Sequence, residues 1–224
     1  MNPALTLVFT GALAFCTASQ AAQIALYPTG PAQDSAYMRL LNPTATPLVL
    51  QPDGGQAQLQ LKAEQLSSDF LPIPGGQTIT GNLARDGHQA RLQLQAAPGE
   101  FITVFALANA QGGIEPLIVN EAFELPNLLK ASLALFEADP SCAQPQVKLV
   151  ERDVDLFANA PAGHPRRQEI NPRPGLNVQL HCAGKAIGEP LALGPLQAGE
   201  RYSLLLLPSP TGPQLRSVTD NVAH

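Results

Sequence analysis

Prolines fall in nearly every stretch of this 224-residue chain, 22 of them in all. Inside a helix each would remove a backbone donor and clash with the preceding turn, at a cost of about 3 kcal/mol. A helical bundle is therefore disfavoured. Proline is tolerated at turns and on sheet edges, so the same residues suit short strands joined by tight turns. Hydrophobic residues make up 45% of the chain, enough to bury a core, which argues against wholesale disorder.

Period-2 alternation supplies the strands. In 56–61, Ala57, Leu59 and Leu61 share one face and Gln56, Gln58 and Gln60 the other. Ala90, Leu92 and Leu94 alternate with Arg91, Gln93 and Gln95. Leu176, Val178, Leu180 and Cys182 alternate with Asn177, Gln179 and His181. Successive strand residues point to opposite faces, so each segment reads as a half-buried strand of an antiparallel sheet. Turn signals punctuate them: Pro52-Asp53-Gly54-Gly55, Pro74-Gly75-Gly76, Asp86-Gly87, Pro98-Gly99, Gln111-Gly112-Gly113 and Ala183-Gly184-Lys185. Many short strands at this spacing predict β-sandwiches.

The chain also echoes itself. Pro98-Gly99-Glu100-Phe101-Ile102-Thr103-Val104 parallels Ala198-Gly199-Glu200-Arg201-Tyr202-Ser203-Leu204. An offset of about 100 residues fits two domains of ordinary size. The expected organisation is all-β: a signal peptide over 1–21, an N-terminal β-sandwich domain over 23–122 and a C-terminal one over 127–224. The junction falls around 121–127, a short linker that restricts relative motion.

Export is read from the N-terminus. An apolar run from Ala4 to Phe15 is too short to span a bilayer stably, and Ser19 and Ala21 hold the −3 and −1 positions of a signal-peptidase site. Cleavage is expected after Ala21. Bulky Phe15 before Cys16 argues against a lipid anchor. Cleavage removes Cys16 and leaves Cys142 and Cys182. In an oxidising compartment the two read as one disulfide, with two buried free thiols as the alternative. Their lack of partner ligands at metal spacing argues against a metal site.

Charge narrows the function. Acids outnumber bases 18 to 13, whereas nucleic-acid binding calls for clustered cations, so that class is excluded. Residues 126–224 carry the one local basic cluster, Arg166, Arg167 and Arg173, in a Pro-rich stretch read as a loop. Guanidinium forks match carboxylates, so this loop is a candidate for binding an anionic polysaccharide. Its alternative is a solvated loop.

Catalysis has little support. His88 follows a hairpin turn, His164 lies in a loop, His181 alternates outward and His224 ends the chain, so all four read as exposed. No Gly-x-Ser-x-Gly elbow, phosphate loop, dinucleotide fingerprint or zinc motif occurs. Ser67-Ser68-Asp69 is the nearest candidate for a nucleophile, and a turn or strand start is its simpler explanation. No cofactor is expected.

Three stretches resemble the AlgF family. The first is Ala25-Leu26-Tyr27-Pro28 with Pro31, Ser35, Arg39 and Asn42; the second is Ser67-Ser68-Asp69-Phe70 followed by Pro74-Gly75-Gly76; the third is Arg167-Gln168-Glu169-Ile170-Asn171-Pro172. Gln168 stands where the family pattern places the arginine before the glutamate, with Arg167 one position earlier. The Cys142/Cys182 pair lies outside the pattern. The resemblance implies two β-sandwich domains and a periplasmic, non-catalytic accessory role in O-acetylation of alginate or an alginate-like exopolysaccharide. It implies a periplasmic acetyltransferase and a membrane-bound O-acyltransferase as partners. Locally, Glu169 and Arg167 are expected to form an ion pair that holds the third stretch.

Overall fold

The computed structural model describes residues 35–55, 57–122, 124–125, 127–152, 154–158 and 163–223. The signal-peptide reading, with Ser19, Ala21 and Cys16, and the family-motif residue Tyr27 lie outside them. The described residues form sixteen strands and no helix.

The first half holds β1 (Ser35–Leu41), β2 (Leu48–Pro52), β3 (Leu59–Leu61), β4 (Leu71–Pro74), β5 (Thr78–Arg85), β6 (His88–Gln95), β7 (Phe101–Ala108) and β8 (Ile114–Glu121). The second holds β9 (Ala131–Glu137), β10 (Gln146–Leu149), β11 (Val154–Ala158), β12 (Arg166–Ile170), β13 (Asn177–Cys182), β14 (Lys185–Ala192), β15 (Arg201–Leu207) and β16 (Gln214–Thr219). Four sheets result, ordered β4-β1-β7-β8, β3-β2-β5-β6, β12-β9-β15-β16 and β11-β10-β13-β14. Adding eight to each strand number of the first half gives the second, so the echo seen in sequence is a duplicated topology. Backbone bonds repeat with it. Gly99 N donates to Ser35 O and Tyr37 N to Glu100 O; Gly199 N donates to Lys130 O and Ser132 N to Glu200 O.

The all-β, sandwich reading holds, with one feature that alternation does not encode. β1 pairs with β7, and β9 with β15, in parallel. A parallel pair needs a long crossover, and the chain supplies it by running β2–β6, or β10–β14, before returning.

Alternation and continuity mark different layers. In β6, Leu92 and Leu94 are buried and Arg91, Gln93 and Gln95 exposed, as a sheet with one wet face requires. Phe101–Ala106 of β7 and Ser203–Leu207 of β15 are buried without a break. The cause is a third core. One cluster fills the first sandwich, with Met38, Leu40, Leu83, Leu92 and Val104; a second fills the other, with Leu133, Leu135, Val147, Val178 and Leu204. The third joins Leu41, Phe105 and Val119 to Ala134, Phe136, Leu205 and Leu207. Sheet β4-β1-β7-β8 therefore packs its second face on sheet β12-β9-β15-β16. The C-terminal segment adds backbone bonds across the halves, from Phe70 N to Asn221 O and from Ala223 N to Phe70 O.

The Asp86-Gly87 and Ala183-Gly184 turns close the β5–β6 and β13–β14 hairpins, with positive φ at both central residues of each. This is the twist that two-residue hairpins favour. A disulfide joins Cys142 and Cys182, 40 residues apart, with Cα atoms 5.1 Å apart.

Candidate functional site at the seam between the halves

β1 sends Ala36, Met38 and Leu40 into its own sandwich, so Arg39 points the other way, into the seam. There it is 1% exposed, and a buried guanidinium needs partners for its donors. Its Nε donates to Thr103 Oγ1 at 3.0 Å, one terminal nitrogen to Asp220 Oδ1 at 2.6 Å and the other to Ser203 Oγ at 2.9 Å. The register makes Thr103 and Ser203 equivalent residues of β7 and β15. Arg39 thus ties together matching positions of the two halves. It also lies 4.6 Å from the ring centre of Phe70 and 5.1 Å from that of Phe136.

Arg167, on β12, extends the network. It makes a two-pronged bond to Glu121, donates to Asp220 Oδ2 at 3.1 Å and donates to Ser132 Oγ at 3.2 Å. Arg201 approaches Glu121 at 3.5 Å and stands 5.0 Å over the Phe101 ring. Three guanidinium groups face two carboxylates here, leaving one positive charge. Burial by itself raises the Asp220 carboxyl; Arg39 and Arg167, with the Ser203 hydroxyl, overcome it and hold the group below the usual carboxylate range. Burial pulls Arg167 down, and Glu121 and Asp220 more than restore it. Arg201 is lowered by burial and by the neighbouring Arg167.

At one end the network reaches a cleft of about 70 Å³, lined by Leu125, Asn127, Lys130, Ser132, Arg167 and Arg201 among others. Beside it runs a turn with unusual exposure: Leu125 is 87%, Leu128 71% and Leu129 79% accessible. The turn is held in place. Asn127 Nδ2 donates to Glu169 Oε2 at 3.1 Å, Asn127 Oδ1 accepts from Leu129 N at 3.1 Å, and Lys130 Nζ donates to Asn171 Oδ1. The polar side chains of the third motif stretch thus hold a turn that turns leucines toward solvent.

The sequence-derived candidates divide accordingly. Arg39, Phe70 and Arg167, from three separate stretches, converge on the seam, while Glu169 and Asn171 hold the leucine turn. Pro172 follows as an exposed residue. Asn42 closes its own loop, donating to Thr46 O and accepting from Thr44 Oγ1. Ser68 is buried; its hydroxyl accepts from Leu40 N and donates to Asp69 O, so it fixes the backbone beside β1. Asp69 is exposed, and Gly75 sits in the turn between β4 and β5.

Four expectations are corrected. The basic stretch is no loop at Arg166 and Arg167, because 166–170 pairs with β9 as β12. Neighbouring strand residues face opposite ways, so Arg166 is exposed and bonds Ala158 O while Arg167 enters the seam. Arg173 lies apart, half-buried and backbone-paired with Leu196. No common anion fork results. The Arg167–Glu169 ion pair is replaced, since Arg167 turns to Glu121 and Asp220 and Glu169 to Asn127. His181 is half-buried, with its Nδ1 shielded from solvent.

Thr103, Glu121, Ser203, Arg201 and Asp220 were missed by sequence reasoning. A signal existed: Glu121 ends β8 and Asp220 directly follows its counterpart β16, at an offset close to that of the sequence repeat.

No protein-family model matches the chain. It is 28% identical over 201 residues to the alginate biosynthesis protein AlgF of Pseudomonas putida, covering 89% of this chain and 86% of that protein. Among solved structures, it is similar to a candidate cell adhesion protein of Bacteroides uniformis, with 10% identity, 85% of this chain and 100% of the other covered, and a TM-score of 0.28. A second, from Bacteroides ovatus, gives 9% identity, 85% and 98% coverage and a TM-score of 0.27.

Proposed function

Taking the chain as a distant relative of AlgF, we propose that it is a non-catalytic, periplasmic accessory protein of the machinery that O-acetylates an exopolysaccharide, alginate or alginate-like. Its work is to dock a periplasmic acetyltransferase, and through it the membrane-bound O-acyltransferase of the same pathway. The observation that carries this reading is the leucine turn. A folded chain gains about 25 cal/mol for each Å² of apolar surface it buries, yet here Glu169 and Asn171 hold Leu128 and Leu129 outward. Such exposure fits an apolar protein surface. The neighbouring cleft, with Lys130 and Arg201 beside Glu124 and Glu169, adds a polar rim of mixed charge.

The two halves are proposed to act as two sandwich domains fixed against each other by the seam, so the turn between them is a rigid platform. Rigid docking surfaces lose less freedom on binding. The Cys142–Cys182 bridge supports an oxidising compartment. Ser68 supports an architectural rather than a nucleophilic role, because its hydroxyl proton is committed to a backbone carbonyl.

Co-purification tests the reading. The tagged protein should retain the acetyltransferase, and Leu128→Asp with Leu129→Asp should abolish retention while leaving the unfolding midpoint unchanged. Equal retention by the double variant would refute the assigned surface.

A further inference from the structure

Each half ends its outer sheet in a long hairpin strand, β6 in the first and β14 in the second, and the two edges differ. β14 is blunted. Its register with β13 shifts between Val178 and Leu180, Gly188 stands at φ +65°, and Pro190 lacks a backbone donor. Gln179 Nε2 occupies two of its carbonyls, Ile187 O at 2.8 Å and Gly188 O at 3.2 Å. Irregular registers, prolines and lysines are the means by which sheets avoid pairing with another chain. β6 carries none of them. It pairs with β5 at all eight residues, His88–Gln95, without a shift. Among the described edge strands it is the longest with neither proline nor glycine.

The Asp86-Gly87 turn fixes which backbone groups of β6 face outward. In a two-residue hairpin the residues flanking the turn exchange both bonds. His88, Ala90, Leu92 and Leu94 therefore bond to β5, and Gln89, Arg91, Gln93 and Gln95 point N–H and C=O away from it. Two bonds agree with this assignment. Ala96 O faces back across the hairpin and accepts from Gly76 N at 2.6 Å, while Gln95 O faces out and accepts from Asn120 Nδ2 at 3.3 Å. No described residue bonds the backbone N–H or C=O of Gln89, Arg91 or Gln93. The side chains of all four outward residues are exposed.

A second copy of the chain fits this edge. Two-fold antiparallel pairing must set outward residues opposite one another, which leaves few registers. Centred on Arg91, it would place two guanidinium groups directly opposite, which is unfavourable. Centred on Leu92, Arg91 faces Gln93 of the partner subunit, Gln89 faces Gln95 of the partner subunit, and the ladder runs over 89–95. This register is the longer of the two and sets no like charges opposite. The charge of Arg91 is further met within its own sheet by a two-pronged bond to Asp53.

We propose that β6 pairs antiparallel with β6 of a second copy in this register, joining two outer sheets of four strands into one of eight. Strand addition alone is a small interface, so the dimer belongs to the weak, transient class. The proposal goes beyond the accessory-protein reading and does not rest on it.

Sedimentation equilibrium of the purified protein, from micromolar to millimolar concentration, should show a monomer–dimer equilibrium. Amide exchange over the same range should protect Gln89, Arg91 and Gln93 in step with dimer formation, while Ala90 and Leu92 are protected throughout. Gln93→Pro removes one outward donor and no bond to β5, and should abolish the dimer. Proline also strains the strand, so two further variants at the same exposed position test the register. Gln93→Glu, opposite Arg91 of the partner subunit, should tighten the dimer, and Gln93→Lys should loosen it, each by roughly two- to tenfold. Leu128→Asp with Leu129→Asp should leave it unchanged, which separates this surface from the leucine turn. A monomer at every concentration, a dimer that survives Gln93→Pro, or Gln93→Lys dimerising more tightly than Gln93→Glu would overturn the proposal. So would protection of the three amides only on addition of the acetyltransferase, which would make β6 the docking edge for a foreign strand.

Discussion

Arg39 and Asp220 are 181 residues apart in sequence and 2.6 Å apart in the fold, each side chain 1% exposed. One comes from the first strand of the first half, the other from the residue after the last strand of the second. Asp220 also binds Arg167 and, through the Ser203 hydroxyl at 2.6 Å, the neighbouring strand β15. The carboxylate is the hub at which the halves are joined by charge. A buried ion pair is weak evidence for stability in itself, but removing one member leaves the other charge uncompensated.

Asp220→Asn should therefore destabilise the protein by about 3–5 kcal/mol, read as a lower urea midpoint. Replacing Arg39 and Asp220 together by apolar residues of similar volume should cost less than either single change. A double variant no better than the singles would show that the charges act independently.

Acid should act through the same hub. The folded Asp220 carboxyl lies below its ordinary value of 3.8. Its contribution is thus complete above that value and is lost as pH falls through the lower folded one. Asp220→Asn should remove this part of the acid dependence, so that its stability falls less steeply than wild type below about pH 4.

Glu137 carries the opposite sign. Burial, then the nearby Asp139, push its carboxyl above the ordinary 4.5, with Glu115 the other acid around the neighbouring cavity. The folded state holds this proton longer than the unfolded one, so stability falls as pH rises from 4.5 through the folded value. Glu137→Gln should unfold at higher urea than wild type at pH 7, and the difference should vanish in acid below the unfolded pKa. A variant less stable at pH 7 would contradict the burial argument.

Arg85, at the end of β5, and Cys182, at the end of β13, fasten equivalent loops by different chemistry, Arg85 donating to Ala106 O, Leu107 O and Thr44 Oγ1 and Cys182 bridging to Cys142. Reducing the Cys142–Cys182 bridge, or Cys142→Ser with Cys182→Ser, should cost about 3–4 kcal/mol on the chain-entropy account. Arg85→Met should cost roughly 1–3 kcal/mol, from backbone acceptors left without a donor. Under reducing conditions the Arg85→Met effect should persist and the cysteine effect should disappear.

Much of the fold was legible, and particular residues explain what was not. Leu92 and Leu94 alternate with glutamines because β6 has one dry face. The runs through Phe101–Ala106 and Ser203–Leu207 carried a second message, burial on both faces, which marks the inner sheets. The parallel pairing of β1 with β7 was hidden because side-chain alternation is the same in parallel and antiparallel ladders. Arg39, Phe70 and Arg167 were noticed as motif residues, yet their meeting depends on how the halves stack. Asp220 carried no motif; only the duplicated register, which sets it beside Glu121, gives it away. Arg166 and Arg167 looked like one cluster because they are adjacent, and a strand separates them onto two faces.

The role proposed for the protein is to promote acetyl transfer to a polymer by recruiting enzymes. The most direct test is the acetyl-to-sugar ratio of exopolysaccharide from a strain lacking the protein, with and without the wild-type gene restored. The account predicts a lowered ratio at preserved polymer yield and length, recovered by wild type and not by Leu128→Asp with Leu129→Asp. An unchanged ratio in the deletion strain would contradict it.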